Sequence, residues 1–197
     1  MEPFAPIPAE PLTRSTRDQI LNAALATATT HGISRLSVGD VAKAAGLSRQ
    51  TLYRHFTSKD DLIAAVVVQE TSTLIEQVIR AASGFDNPRD SLEAGFLAAL
   101  IALREHSLLD RLVRTEPDAL IPLLTTDGGP VMSQVRGVVE LIILMGQPEI
   151  KARHLRRTAD LVTRLLISYA VSAPDDSPEI IASFVATILT PVLEVQP

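Results

Sequence analysis

Prolines stand at positions 3, 6, 8 and 11, and the next is Pro88. A proline inside a helix removes a backbone hydrogen bond and clashes with the preceding turn, so residues 14–87 form the longest stretch free to be helical without interruption. Within it Ile20, Leu21, Ala24, Leu25 and Ala28 recur at helical spacing, Thr16 with Gln19 forms a capping box, and Gly32 closes the segment. Ser37 with Asp40 begins a second helix of about two turns. Its apolar face is Val38, Val41, Ala42 and Ala45, and Gly46 stands where a left-handed C-terminal residue is needed. A third short helix follows, with Leu52 and Phe56 four residues apart on one face. Ser58 with Asp61 caps a fourth, which the pattern carries to about Ala82.

The remainder reads the same way. Asn87, Pro88 and Asp90 start a helix whose apolar pattern covers Leu92 to Leu103, and shorter pieces run from Leu108 to Arg114 and from Asp118 to Leu124. Asp127, Gly128 and Gly129 form a loop, and Pro130 suits the first turn of an apolar helix from Val131 to Met145. Pro148 is expected to open a long helix to Ser172, and Ser177 with Pro178 the last one, to Leu193. No alternating strand pattern and no internal repeat is visible. The fold expected is therefore all-α. Aromatic residues make up only 4% and tryptophan is absent, so Leu, Ile, Val and Ala must build the core.

The lack of cysteine excludes disulfides, thiolate metal sites and cysteine nucleophiles. Residues 1–13 read as a disordered leader without the basic and apolar regions of a secretory signal. The apolar runs fall short of a membrane span. A cytoplasmic protein without a membrane partner is expected.

With 18 basic and 23 acidic residues the net charge is −5, which argues against a polybasic nucleic-acid coat. The charge is unevenly placed, however. Residues 14–59 hold seven basic and two acidic side chains, a net of +5, while residues 60–197 hold 11 basic and 19 acidic ones, a net of −8. A small basic helical unit thus precedes a larger acidic one.

Two short helices joined by a tight turn, with a scaffold helix before them, match the helix-turn-helix arrangement that sends its second helix into the major groove. If Leu47, Leu52 and Phe56 anchor that helix, then Ser48, Arg49, Gln50, Thr51, Tyr53 and Arg54 remain on its outer faces. There Arg and Gln can read base edges and hydroxyls can reach phosphates. A lysine at position 59 opposes the dipole of the helix it begins, as expected if a phosphate binds there.

From Ile20 to about Leu62 the chain resembles the tetracycline-repressor (TetR) family of transcriptional regulators. The matching segments are I-L-N-A-A-L, H-G-I, S-V-G-D-V-A-K-A-A-G-L-S, T-L-Y-R-H-F and S-K-D-D-L. The resemblance implies an N-terminal three-helix helix-turn-helix DNA-binding domain over 14–60 and a C-terminal helical effector-binding and dimerisation domain over 61–197. It implies DNA contacts from Thr51, Tyr53 and His55, a backbone contact from Lys59, and phosphate or adjacent-groove contacts from Ser37, Arg14 and Arg17. Arg49, Gln50 and Arg54 fall at variable positions of the motif and are expected to carry operator specificity. One departure is A-T-A-T-T-H-G at the end of the first helix, where Ala28 is smaller than the phenylalanine common in that region.

No catalytic constellation, phosphate-binding glycine loop or paired histidine motif is present, so no enzyme activity, cofactor or metal is expected. Leu155, Leu161, Leu165, Ile181, Phe184 and Ile188 are first of all core, but these last helices are apolar enough to suggest a subunit interface. A homodimer would match the half-sites of a palindromic double-stranded operator, about 34 to 36 Å apart. The effector and its pocket residues are not legible; the aliphatic helices from Leu92 to Met145 suit an apolar molecule. Two rivals stand beside this reading: a constitutive DNA-binding protein without a pocket, and a helical carrier or enzyme with a vestigial DNA-binding domain.

Overall fold

The computed structural model describes residues 15–125, 129–172 and 175–193. The leader 1–13, Arg14 and the Asp127–Gly128 part of the expected loop lie outside the described residues. Helix α1 (Thr16–His31) is followed by α2 (Val38–Ala44), α3 (Arg49–His55) and α4 (Lys59–Ala82). Then come α5 (Pro88–Glu105), α6 (Ser107–Thr115), α7 (Pro117–Leu124), α8 (Gly129–Gly146), α9 (Ala152–Val171) and α10 (Pro178–Leu193). No strand occurs among the described residues.

The N-terminal caps are local chemistry. Ser37, Ser58 and Asn87 each accept a hydrogen bond from the backbone N–H three residues on, satisfying a donor that the first helical turn leaves free. At α1 the box lies one residue earlier than expected. Ser15 Oγ accepts from Asp18 N–H at 3.1 Å and Asp18 Oδ2 accepts from Ser15 N–H at 3.3 Å. Gln19 serves elsewhere: its amide donates to the Ala45 carbonyl at 2.8 Å and ties α1 to the end of α2.

The other correction concerns α9, which begins at Ala152 and not at Pro148. Gln147 N–H donates to Ile143 O and Ile150 N–H to Gln147 O, so the Pro148 segment is a turn that closes α8. The new helix starts only where the Lys151 carbonyl accepts from His154 and Leu155.

Two aliphatic cores organise the molecule. The first joins α1, α2, α3 and the start of α4 through Ile20, Leu21, Val41, Leu52, Phe56 and Leu62, and also takes in Leu108, Leu112 and Leu120 of α6 and α7. The small Ala28 is buried in this core. The second joins α5, α8, α9 and α10 around Phe96, Ile143, Val162 and Leu189, with Tyr169 edge-on to Phe96 at 6.2 Å. Helix α4 spans both, packing on α1 at one end and on α5 and α8 along its length. Its 24 residues, with a mean hydropathy of 1.4 over its most apolar part, make it long and apolar enough to cross a membrane. Gln69, Glu70, Glu76 and Arg80 interrupt it, so its longest unbroken apolar run, 62–68, stays far short of that length. A rise of 1.5 Å per residue gives the whole helix a length of about 36 Å.

Candidate nucleic-acid interface and effector cavity

The turn between α2 and α3 is built by its backbone. Leu47 N–H donates to Ala42 O at 2.8 Å and Gly46 N–H to Lys43 O at 3.1 Å, which is the bond pair of a Schellman ending. Gly46 adopts φ +67°, a left-handed conformation that costs a side-chain-bearing residue about 1–2 kcal/mol. No atom lies within 4 Å of where its Cβ would be, so conformation and not crowding requires glycine there. The reversed chain delivers Ser48 as the cap of α3, its Oγ accepting from Thr51 N–H at 3.0 Å and lying 2.9 Å from Thr51 Oγ1.

Helix α3 rests on Leu52 and Phe56, both buried. Its other face presents Arg49, Gln50, Tyr53, Arg54 and His55 to solvent, and Tyr53, at 53% exposure, is not a core residue. Ser37 is engaged in its own cap, accepting from Asp40 N–H and donating to Asp40 Oδ2 at 2.6 Å. Arg17 lies 5.2 Å above the Phe56 ring, a cation–π contact that holds its charge beside α3. Arg49 folds across α2: a Cβ on Gly39 would come within 2.8 Å of its Cζ and Nε.

Lys59 is half-buried, and its Nζ donates to the Ser34 carbonyl at 2.9 Å. An ammonium has three donors, so this bond positions the cation and leaves donors for a phosphate. The same Ser34 is held from the other side by Glu116, at the junction of α6 and α7. Glu116 Oε2 accepts from Ser34 N–H at 2.8 Å and from Ser34 Oγ at 2.7 Å. Burial alone would raise the Glu116 carboxyl, but these two bonds, helped by the guanidinium groups of Arg111 and Arg35, hold it below its ordinary value. The carboxylate fills the space over Gly32, whose φ of +93° and missing side chain are both required. Sequence reading missed this clasp, whose partners are 82 residues apart; Gly32 and Ser34, two residues apart in the α1–α2 loop, were its local trace.

A second feature that sequence reading left open is a cavity of about 170 Å³ between α4 and helices α5 to α9. Its walls are aliphatic, including Leu74 and Val78 of α4, Leu103 of α5, Leu109 of α6 and Val135 of α8. Near α6 they also carry Glu70 and His106, which are hydrogen-bonded to each other at 3.2 Å. Among the described residues no cluster of three potential metal ligands occurs.

The face of α9 and α10 away from the second core is apolar in part. Leu161, Phe184 and Ile188 are exposed, Phe184 at 63%, whereas Ile181 is buried at 8% in its own subunit's core. Leu155 and Leu165 are half-buried against that core. Of the six residues expected to meet a partner, Ile181 lies where the side of α10 that carries Phe184 and Ile188 meets the second core, since positions three and seven apart share a helical side.

Comparison with known proteins agrees with this architecture. Residues 20–66 match the family model of bacterial regulatory proteins of the tetR family, and residues 87–191 match the C-terminal domain of the bacterial tetracyclin repressor. The HTH-type transcriptional regulator AlkX of Mycobacterium tuberculosis is 30% identical over 187 residues, covering 90% of this chain and 85% of the relative. An uncharacterized HTH-type transcriptional regulator of the same species is 29% identical over 91% of this chain and 88% of its own length. The crystal structure of the TetR family repressor AlkX from Dietzia sp., implicated in biodegradation of n-alkanes, superposes with a TM-score of 0.75 at 27% identity, covering 91% of this chain and 96% of that one. With both of its halves matched and an exposed recognition helix set on a buried Leu52–Phe56 anchor, the chain belongs to the TetR family and is a DNA-binding transcriptional regulator.

Proposed function

We propose that the protein is a cytoplasmic, homodimeric, ligand-released repressor of a palindromic operator, with no enzyme activity. The observation that carries this reading is the position of the cavity. Its walls include α4, which starts at Lys59 beside the reading head, and α6, which ends at the Glu116 clasp on Ser34. A ligand that moves α6 therefore acts on the loop before α2 from one side and on α4 from the other. It shifts operator affinity by its differential affinity for the two arrangements and by nothing more.

Arg49, Gln50 and Arg54 read bases in this proposal, while Arg14, Arg17, Ser37, Ser48, Thr51, Tyr53, His55 and Lys59 position the head on the backbone and groove edges. The acidic body repels DNA, confining contact to the basic unit. Subunits pair through α9 and α10 over the exposed Leu161, Phe184 and Ile188, with Leu155, Leu165 and Ile181 at the edge. The n-alkane connection of the Dietzia repressor makes hydrocarbon-derived molecules the first effectors to screen.

Footprinting on DNA upstream of the gene and its neighbours tests the reading. A protected palindrome with half-site centres about 34 to 36 Å apart is expected, lost on addition of an apolar effector. Protection that no apolar molecule alters would favour the constitutive alternative, and no specific protection would refute the regulator.

A further inference from the structure

Resting on the reading of the cavity as an effector site, we propose that it selects a medium-chain aliphatic alcohol, whose hydroxyl inserts between Glu70 and His106. Three lining side chains are polar: Glu70, Thr71 and His106; no lysine or arginine is among them. Thr71 spends its proton on the Val67 carbonyl at 2.8 Å. His106 Nδ1 accepts from Leu109 N–H at 3.2 Å, capping α6. That bond assigns the ring proton to Nε2, which donates to Glu70 Oε2 at 3.2 Å, long for such a bond. Both side chains are largely withdrawn from water, at 22% and 15% exposure.

The cavity wall thus offers one carboxylate acceptor beside one N–H donor in an aliphatic surround. A hydroxyl answers both, donating to Glu70 while accepting from His106 Nε2–H. An alkanoate has no proton for Glu70 and brings a like charge. An alkylammonium has no acceptor for the imidazole and carries a second ion into the apolar wall. An alkane makes no polar contact with the pair. An apolar cavity of about 150 Å³ accepts benzene, so about 170 Å³ suits a chain of roughly six to eight carbons. Because His106 caps the start of α6, insertion there bears directly on the helix that ends at Glu116.

Calorimetric titration of the full-length protein at neutral pH with n-octanol, n-octane, octanoate and octylammonium tests the selection. Octanol is expected to bind about tenfold or more tightly than the other three, the margin of one hydrogen bond to a charged group. Glu70→Leu should retain octane and bring octanol to within about threefold of it. Glu70→Gln, which keeps the side-chain shape and removes the charge, should admit octanoate, and serves if the leucine variant does not fold. Any of the other three probes binding the wild type as tightly as octanol would overturn the proposal. So would an octanol preference that survives Glu70→Leu, or no binding of octanol at all. Operator binding followed in parallel separates the two readings: release by octane or octanoate as effective as by octanol leaves the effector site standing without alcohol selection. Octanol binding with unchanged operator affinity overturns the effector reading alone.

Discussion

Replacing Glu116 by alanine removes both hydrogen bonds that hold Ser34, at 2.7 and 2.8 Å to a single carboxylate oxygen. A hydrogen bond to a charged group contributes about 1.5–3 kcal/mol when sheltered. This pair faces solvent, where screening and competition by water reduce such contacts, so about 1–2 kcal/mol for the two together is the expected loss. For a chain of this length that corresponds to a fall in melting temperature of roughly 2–8 °C. The dependence on pH has a definite sign. The folded carboxyl lies below its unfolded value, so the clasp contributes fully above about pH 4.3, the ordinary glutamate value. It fades as pH falls through the folded value, when the unfolded chain binds the proton more readily. Urea unfolding of wild type and Glu116→Ala from pH 8 down to pH 3 should therefore show a constant gap that closes at the acid end. A gap under about 0.5 kcal/mol at neutral pH, within the ordinary scatter of surface substitutions, would refute the assignment, as would a gap unchanged at pH 3. In the proposed mechanism the same variant also loses part of the effector's influence on operator affinity while the effector still binds.

Gly32→Ala meets the Glu116 carboxylate and a φ of +93° together, so it should destabilise by more than about 2 kcal/mol in the same unfolding assay and be only partly rescued by Glu116→Ala. Leu52→Ala empties a fully buried position under α3 and should cost about 2–5 kcal/mol in thermal or urea unfolding. Lys59→Ala should weaken operator binding across all sequences and lower the slope of log affinity against log salt by about one in a gel-shift salt titration; removal of Arg49 or Arg54 should instead change sequence preference. Phe184→Asp places a charge on the exposed face of α10, and sedimentation should show it monomeric while its circular dichroism stays helical.

The helical class, the caps and the reading head were legible because their causes are local. Ser37, Ser58 and Asn87 bond to groups three residues away, Gly46 answers its own backbone angle, and the Leu52–Phe56 spacing names the inward face of α3. A capping box one residue out of register and a proline that closes a turn instead of opening α9 were the local errors. At Ser15 and Thr16 two hydroxyl residues compete for one role, and Pro148 suits either context. What tertiary structure alone decided lies between distant segments: Glu116 on Ser34, Gln19 on Ala45, Glu70 beside His106, Arg49 over Gly39. Helical periodicity says which residues turn inward but not which helix they meet. A cavity wall and a core wall are therefore written in the same leucines and valines, and only the packing of α4 against α5 to α9 tells them apart.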